Sequence, residues 1–351
     1  MSGSSFGVLF RATTFGESHG GGIGAVVEGA APGVELTEAH VQAELDRRRG
    51  GQSDLTTPRA EPDRVHILSG VFEGRTTGTP IAMVLYNADA RPAAYDDIRD
   101  LFRPGHADYT YFKKYGIRDY RGSGRASGRE TAARVAAGAV AKRLLARRGV
   151  RIAAYTWRAA SVQCRQVDLS VVEANPMRAC DAAAAEEMAA KVRQARDSGD
   201  SVGGIVQCRV MGLPAGLGEP VFDKLDADLA KAMLSIGAVK GIEFGAGFAA
   251  ADMTGRQHND EMTAGGFVTN NAGGVLGGIS TGAELVFSVA VKPTSSISIP
   301  QRTIDVHGRD ATVSTTGRHD PCICPRIVPV VEAMAAIVLE DHFQRQATLR
   351  Q

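Results

Sequence analysis

Glycine punctuates this chain more heavily than any other residue that limits backbone choice. Of 351 residues 41 are glycine, well above the usual level of about 7%. They gather at 16–24, 122–128, 237–247, 265–282 and at 317. Between clusters lie short apolar runs, GIVQCRVMG (204–212), GAVKGIEFG (237–245) and ELVFSVAVK (284–292), whose alternation or β-branched content reads as strands. Helical patterns cover 37–49, 128–148, 183–197, 222–236 and 326–347. The first has Thr37 as N-cap, Val41 and Leu45 on one face, and Gly50 just past its end. No Pro- or Ser-rich linker and no solenoid-length repeat divides the chain. The expectation is a mixed α/β (α+β) fold, one domain over residues 1–351, with long glycine-rich loops that carry function.

Composition excludes several classes. Hydrophobic residues make up 44% and charged residues 23%, and 40 Lys/Arg stand against 39 Asp/Glu, a formal charge of +1. With that balance no global field draws in nucleic acid or membrane, so any basic site is local. Cys322 and Cys324 form the one close pair among five cysteines, with no second pair to complete a zinc site. The thiols read as reduced and buried in a cytoplasmic protein, with no metal. The N-terminus has no basic leader before an apolar core, and no apolar run is long enough to span a bilayer.

The local basic site is RGSGRASGRET, residues 121–131, with three arginines and three glycines in eleven positions. Ser127 stands three residues before Glu130, the spacing of a capping box, and an alanine-rich apolar face follows. Unpaired N–H groups at a helix start favour an anion. Glycines permit close approach, and arginines supply planar forks for phosphate or carboxylate. From Arg103 to Arg134 there are eight Lys/Arg and three acids. His19 in FGESHGGG and His106 in RPGHADY lie in loop-like settings, where a histidine near bound phosphate can act as a general acid. His40, His66 and His342 read as structural. Arg47-Arg48-Arg49 at a helix end suits the helix dipole. GRHDPC (317–322) and KPTSS (292–296) are further basic elements.

FGESHG, RPGHADYTYFKKYGIRDYRG, GRASGRET, NAGGVLGGISTG, KPTSS and GRHDPC, in this order, resemble the chorismate synthase family over essentially the whole chain. The resemblance implies a single-domain β-α-β sandwich assembled as a homotetramer. It implies conversion of 5-enolpyruvylshikimate 3-phosphate to chorismate and phosphate, with reduced FMN required and no net redox change. Arg48, Arg103, Arg129 and Arg318 would then meet the substrate's anionic groups. His19 would protonate the leaving phosphate, His106 the reduced flavin, and Asp320 and Ser127 would assist proton transfer at N5. The positions matching FMN contacts are Arg125, Ala126, Ser127, Gly237, Ala238, Gly277, Lys292, Pro293, Thr294, Ser295, Ser296 and Arg318.

Three positions depart from the family pattern. Asp54 stands where many relatives have arginine, Gly237 where many have asparagine, and Gly128 where alanine is usual. The first points away from intrinsic flavin reduction by NADPH and toward a separate flavin reductase. Other classes fit less well. Gly122, Gly124 and Gly128 miss the G-x-G-x-x-G spacing of a nicotinamide dehydrogenase. An RNA-binding loop stacking bases on Tyr109, Tyr111, Phe112 and Tyr115 leaves His19 and Asp320 without a role. A flavin carrier would tolerate loss of both histidines.

Overall fold

Five antiparallel strands form one sheet: Ser5–Phe6 (β1), Arg11–Gly16 (β2), Gly22–Glu28 (β3), Val65–Ile67 (β4) and Ile81–Tyr86 (β5), in the spatial order β1-β2-β3-β5-β4. A second antiparallel sheet holds Arg151–Ala159 (β6), Val162–Gln163 (β7), Gly204–Met211 (β8), Val239–Phe244 (β9) and Leu285–Val291 (β10), ordered β9-β10-β8-β6-β7. The helices longer than one turn are Glu38–Arg48 (α1), Asp108–Tyr115 (α2), Thr131–Ala146 (α3), Ala182–Asp197 (α4), Leu225–Leu234 (α5) and Cys324–Leu349 (α6). This computed structural model describes residues 3–315 and 319–349.

Period-two burial sets the inner face of each sheet. Ile81, Met83 and Leu85 of β5 are buried and pair in register with Val27, Ala25 and Ile23 of β3. In the second sheet Val206, Cys208 and Val210 of β8 face Val289, Phe287 and Leu285 of β10, all buried. Between the sheets lie α3, packed on β2, β3 and β5, and α6, packed on β6 and β8. From Ile327 to His342 every residue of α6 is buried, as expected of a helix at the centre of a sandwich, and its buried Glu332, Glu340, Asp341 and His342 are ion-paired with Arg47, Arg148, Arg345 and Asp228.

Small residues let the two central helices meet. A Cβ built on Gly138 of α3 would stand 2.5 Å from the Ala333 Cα of α6, so glycine is required by backbone approach. Pro329 lies inside α6 and has no N–H for the carbonyl four residues earlier. Arg178 Nη1 donates to that orphaned oxygen, on Pro325, at 2.8 Å. All five cysteines are buried free thiols.

The helices and strands read from periodicity are present, with boundaries shifted by up to three residues. The first sheet and β6 were not legible, nor was α2, which closes on Gly116 in the left-handed region (φ 72°). The capping box at 127–130 does not form. Ser127 Oγ accepts from Arg129 N–H at 3.2 Å, but residues 124–126 and 128–130 are 3-10 turns and α3 starts at Thr131. The Glu130 carboxylate turns instead to Thr14 Oγ1 at 2.7 Å and Arg134 Nε at 2.8 Å.

Candidate active site

Connections that follow β2, α1, α5 and β10, with those that precede α2, α3 and α6, converge on one cleft of about 580 Å³. Among the described residues nine Lys/Arg line it against three carboxylates. In a chain of net charge +1 this is a strong local concentration, suited to a ligand bearing several negative charges.

The three consecutive arginines at the end of α1 diverge. Arg47 turns away to Glu332, Glu44 and Glu173, and Arg49 is exposed beside Asp46. Arg48 enters the cleft wall and is 2% exposed. It donates from Nε to Thr131 Oγ1 (3.1 Å), from Nη1 to Asp63 Oδ2 (3.0 Å) and from Nη2 to the Gly128 carbonyl (2.6 Å). Burial and the neighbouring Arg326 push its pKa down to about 9, with Asp63 opposing. The guanidinium therefore stays charged at neutral pH. The other oxygen of Asp63 accepts from Arg129 Nη1, and Arg129 Nε donates to Asn87 Oδ1 at 2.9 Å.

Arg103 is clamped by Asp108, with Nε to Oδ2 at 2.7 Å and Nη2 to Oδ1 at 2.9 Å, and Nη1 reaches Ser296 Oγ at 3.2 Å. The same carboxylate holds His106 Nδ1 at 3.1 Å, while His106 Nε2 lies 3.1 Å from Ser123 Oγ. Burial outweighs Asp108 and lowers the His106 pKa, so the imidazole is neutral at pH 7. With its proton on Nδ1 toward Asp108, Nε2 accepts from the Ser123 hydroxyl.

His19 packs behind this wall. Its ring meets Tyr95 edge-on, with centroids 5.2 Å apart, and presses on Gly122; both neighbours line the cleft. Burial, then Arg59, lowers its pKa. Arg59 bridges Ser18 Oγ (2.9 Å) and Glu61 (2.7 Å), fixing the loop that carries His19. Asp320 is buried in the cleft lining, accepting from Thr57 N–H at 2.9 Å and Arg326 Nη1 at 2.7 Å. Beside it His319 is pushed down to about 4 by burial and by Arg103.

Of the expected cofactor positions, Arg125, Ala126, Ser127, Gly237, Ala238, Lys292, Thr294, Ser295 and Ser296 line this cleft. Ser295 Oγ donates to the Gly105 carbonyl at 2.7 Å, tying KPTSS to the His106 loop. Pro293 and Gly277 are not among the lining residues, and Gly277 sits in a hairpin turn between Val275–Leu276 and Ile279–Ser280. Arg318 lies outside the described residues. Asp54 also stands apart from the lining, paired with Arg193 of α4 at 2.7 Å.

Sequence reasoning missed Asp63, Asp108, Arg59, Arg134, Arg326, Lys240 and Tyr95. Asp108 lay inside a motif already singled out. Arg134 closes the basic 103–134 segment, also singled out, whereas Asp63, Arg59, Arg326, Lys240 and Tyr95 carry no local signal: Asp63 lies beneath the cleft and the others reach it from segments of ordinary helix, strand or loop pattern.

Comparison with known proteins accords with this geometry. A family model described as chorismate synthase matches residues 10–344. The chain belongs to the chorismate synthase family. The chorismate synthase of Desulfatibacillum aliphaticivorans is 56% identical over 350 residues, covering 100% of this chain and 98% of that protein. That of Desulfosudis oleivorans (strain DSM 6200 / JCM 39069 / Hxd3) is 57% identical over 350 residues, covering 99% of each. A crystal structure of chorismate synthase superimposes with a TM-score of 0.77 at 31% identity, covering 97% of this chain and 93% of the other. Membership makes the chain a lyase of the shikimate pathway, serving aromatic amino-acid biosynthesis. Among the described residues no helix is long and apolar enough to cross a membrane.

Proposed function

We propose that this chain catalyses the 1,4-anti elimination of phosphate from 5-enolpyruvylshikimate 3-phosphate, giving chorismate, with reduced FMN bound and no net redox change. The observation that carries the reading is convergence: Arg48, Arg103, Arg129, His106 and Asp320 line one cleft, with His19 against its wall. The substrate bears a phosphate and two carboxylates, and FMN adds another phosphate. Only a cleft with a cationic surplus holds so many anions together.

The cleft suits the flavin as well as the substrate. Thr294 Oγ1 and His319 Nε2 are buried there without hydrogen-bond partners among the described residues, and Lys240 and Lys292 add charge. Arg125, Ala126, Ser127, Gly237, Ala238, Lys292 and Thr294 to Ser296 would hold FMN. When bound, reduced FMN supplies electron density as the C–O bond to phosphate breaks, and recovers it as the C6 hydrogen leaves as a proton. The protein binds, orients and moves protons. Arg103 and Arg129 orient the anionic groups. His19 delivers a proton to the departing phosphate. His106 keeps a proton on Nδ1 against Asp108 and takes a second on Nε2 once anions surround it. Asp320, held by Thr57 and Arg326, is the carboxylate placed to accept a proton, with Ser127 assisting.

Asp54, engaged by Arg193 and Arg196, supports a separate flavin reductase as the source of reduced FMN, without intrinsic use of NADPH. Exposed Phe222, Phe248, Val221 and Met262 support burial against further copies, in a homotetramer. Five free thiols suit a cytoplasmic site. The test is an anaerobic assay with enolpyruvylshikimate phosphate and chemically reduced FMN, following phosphate release. A parallel reaction with oxidised FMN and NADPH should release none, and absence of release in the first refutes the activity.

A further inference from the structure

Asp63 is fully buried and lies beneath the cleft, absent from its lining. It adopts a left-handed backbone (φ 48°), a conformation that costs a non-glycine residue energy and persists where its surroundings demand it. Its two oxygens are divided between two buried guanidinium groups, Oδ2 to Arg48 Nη1 and Oδ1 to Arg129 Nη1. One carboxylate thus serves two cations that would otherwise repel, and burial alone would oppose its charge; Arg48 and Arg129 hold its pKa below the usual range.

The two arginines differ in what remains. Every nitrogen of Arg48 already donates to the protein. Arg129 has Nε on Asn87 and Nη1 on Asp63, while its buried Nη2 has no partner among the described residues. A guanidinium pinned on two nitrogens is planar and cannot rotate, so the direction of the third is determined. An unpaired buried donor is costly unless a ligand completes it.

We propose that Asp63 is the positioning residue of the anion site, fixing Arg129 so that Nη2 is presented to an oxyanion of the substrate. This rests on the activity proposed above. It separates positioning from charge. If Asp63 merely balanced charge, removing its negative charge would strengthen anion binding. If it positions Arg129, removal weakens anion binding although the cleft becomes more positive.

The experiment compares wild type with Asp63→Asn, since asparagine also accepts the left-handed backbone, and with Asp63→Glu, which keeps the charge and displaces the carboxylate by one methylene. Inorganic phosphate binding at pH 7 is read by calorimetry, and KM and kcat by anaerobic turnover. Both variants should bind phosphate about tenfold or more weakly, as expected for losing one charge-assisted hydrogen bond. KM should rise by a similar factor while kcat changes far less. Equal or tighter phosphate binding in either folded variant overturns the proposal. So does failure of both to fold, which would make Asp63 a residue of stability. If wild type binds phosphate but does not turn over the substrate, the proposed activity fails, and the phosphate comparison still judges Asp63.

Discussion

The imidazole of His19 occupies the space that a side chain at Gly122 would need. A Cβ built there would lie 2.2 Å from His19 Cε1 and 2.3 Å from Nδ1, and the Gly122 backbone is left-handed (φ 62°). The glycine-rich arginine loop and the histidine loop therefore fit together only because position 122 has no side chain. Distance and backbone conformation make the same demand.

Gly122→Ala should displace His19 while leaving the sandwich intact. Misplacing a proton donor by about 1 Å costs roughly a hundredfold in rate, and that is the expected fall in kcat. Destabilisation by denaturant should exceed about 1 kcal/mol, as alanine is strained at positive φ. Wild-type kcat in this variant would remove His19 from the reaction.

Gly138→Ala tests the helix contact at the centre of the fold. The added methyl meets Ala333 Cβ at 2.4 Å and Cα at 2.5 Å, and neither backbone can yield locally. A loss of about 1–3 kcal/mol in urea unfolding is expected for overpacking. A gain, as for an ordinary exposed glycine in a helix, would show that the helices separate freely.

Anion binding should take up protons. His106, His19 and His319 all lie below the ordinary histidine value through burial, with Arg103 acting on His106 and His319 and Arg59 on His19. A bound anion favours their charged forms. Sulfate does not itself titrate here, so calorimetry in buffers of different ionisation enthalpy should reveal net proton uptake. Its affinity should fall as pH rises through the lowered free-state values, about 4 for His319, toward and past the histidine reference of ~6.5. Zero uptake would mean that the histidines do not sense the anion.

Acid should weaken the fold from its interior. Burial opposes charge on Asp63, Asp108 and Glu332, but cationic and histidine partners overcome it and lower all three pKa values. Their unfolded references lie near ~3.9 for Asp and ~4.3 for Glu. The stability they contribute is complete above those values and is lost as pH falls through the lower folded ones. Urea midpoints should therefore not fall on this account between about pH 7 and 5, and should drop below about pH 4. A midpoint unchanged down to pH 3 would contradict the pairing.

Much of the candidate site was legible because its residues sit in short, unusual motifs. Arg103 and His106 share RPGHADY, Arg125 to Arg129 share GRASGRE, and Lys292 to Ser296 form KPTSS. Others were hidden by the same locality. Asp63 lies in an unremarkable EPD segment and matters only because α1 and the 121–131 loop bring two arginines to it. The first sheet was illegible for another reason. RATTFG and GIGAVVE contain small and glycine residues whose strand signal is weak alone; pairing with each other, and of GIGAVVE with Ile81–Tyr86, supplies what each lacks.

The order of residues by itself determined the periodic helices and strands, the family, and which loops carry positive charge, since these depend on neighbours a few positions apart. The tertiary structure alone decided that Arg47, Arg48 and Arg49 point three ways, that one aspartate holds two arginines, and that His19 rests on a glycine a hundred residues away. Burial and electrostatic pairing act through space, and a pattern along the chain does not encode which distant charge will stand beside which.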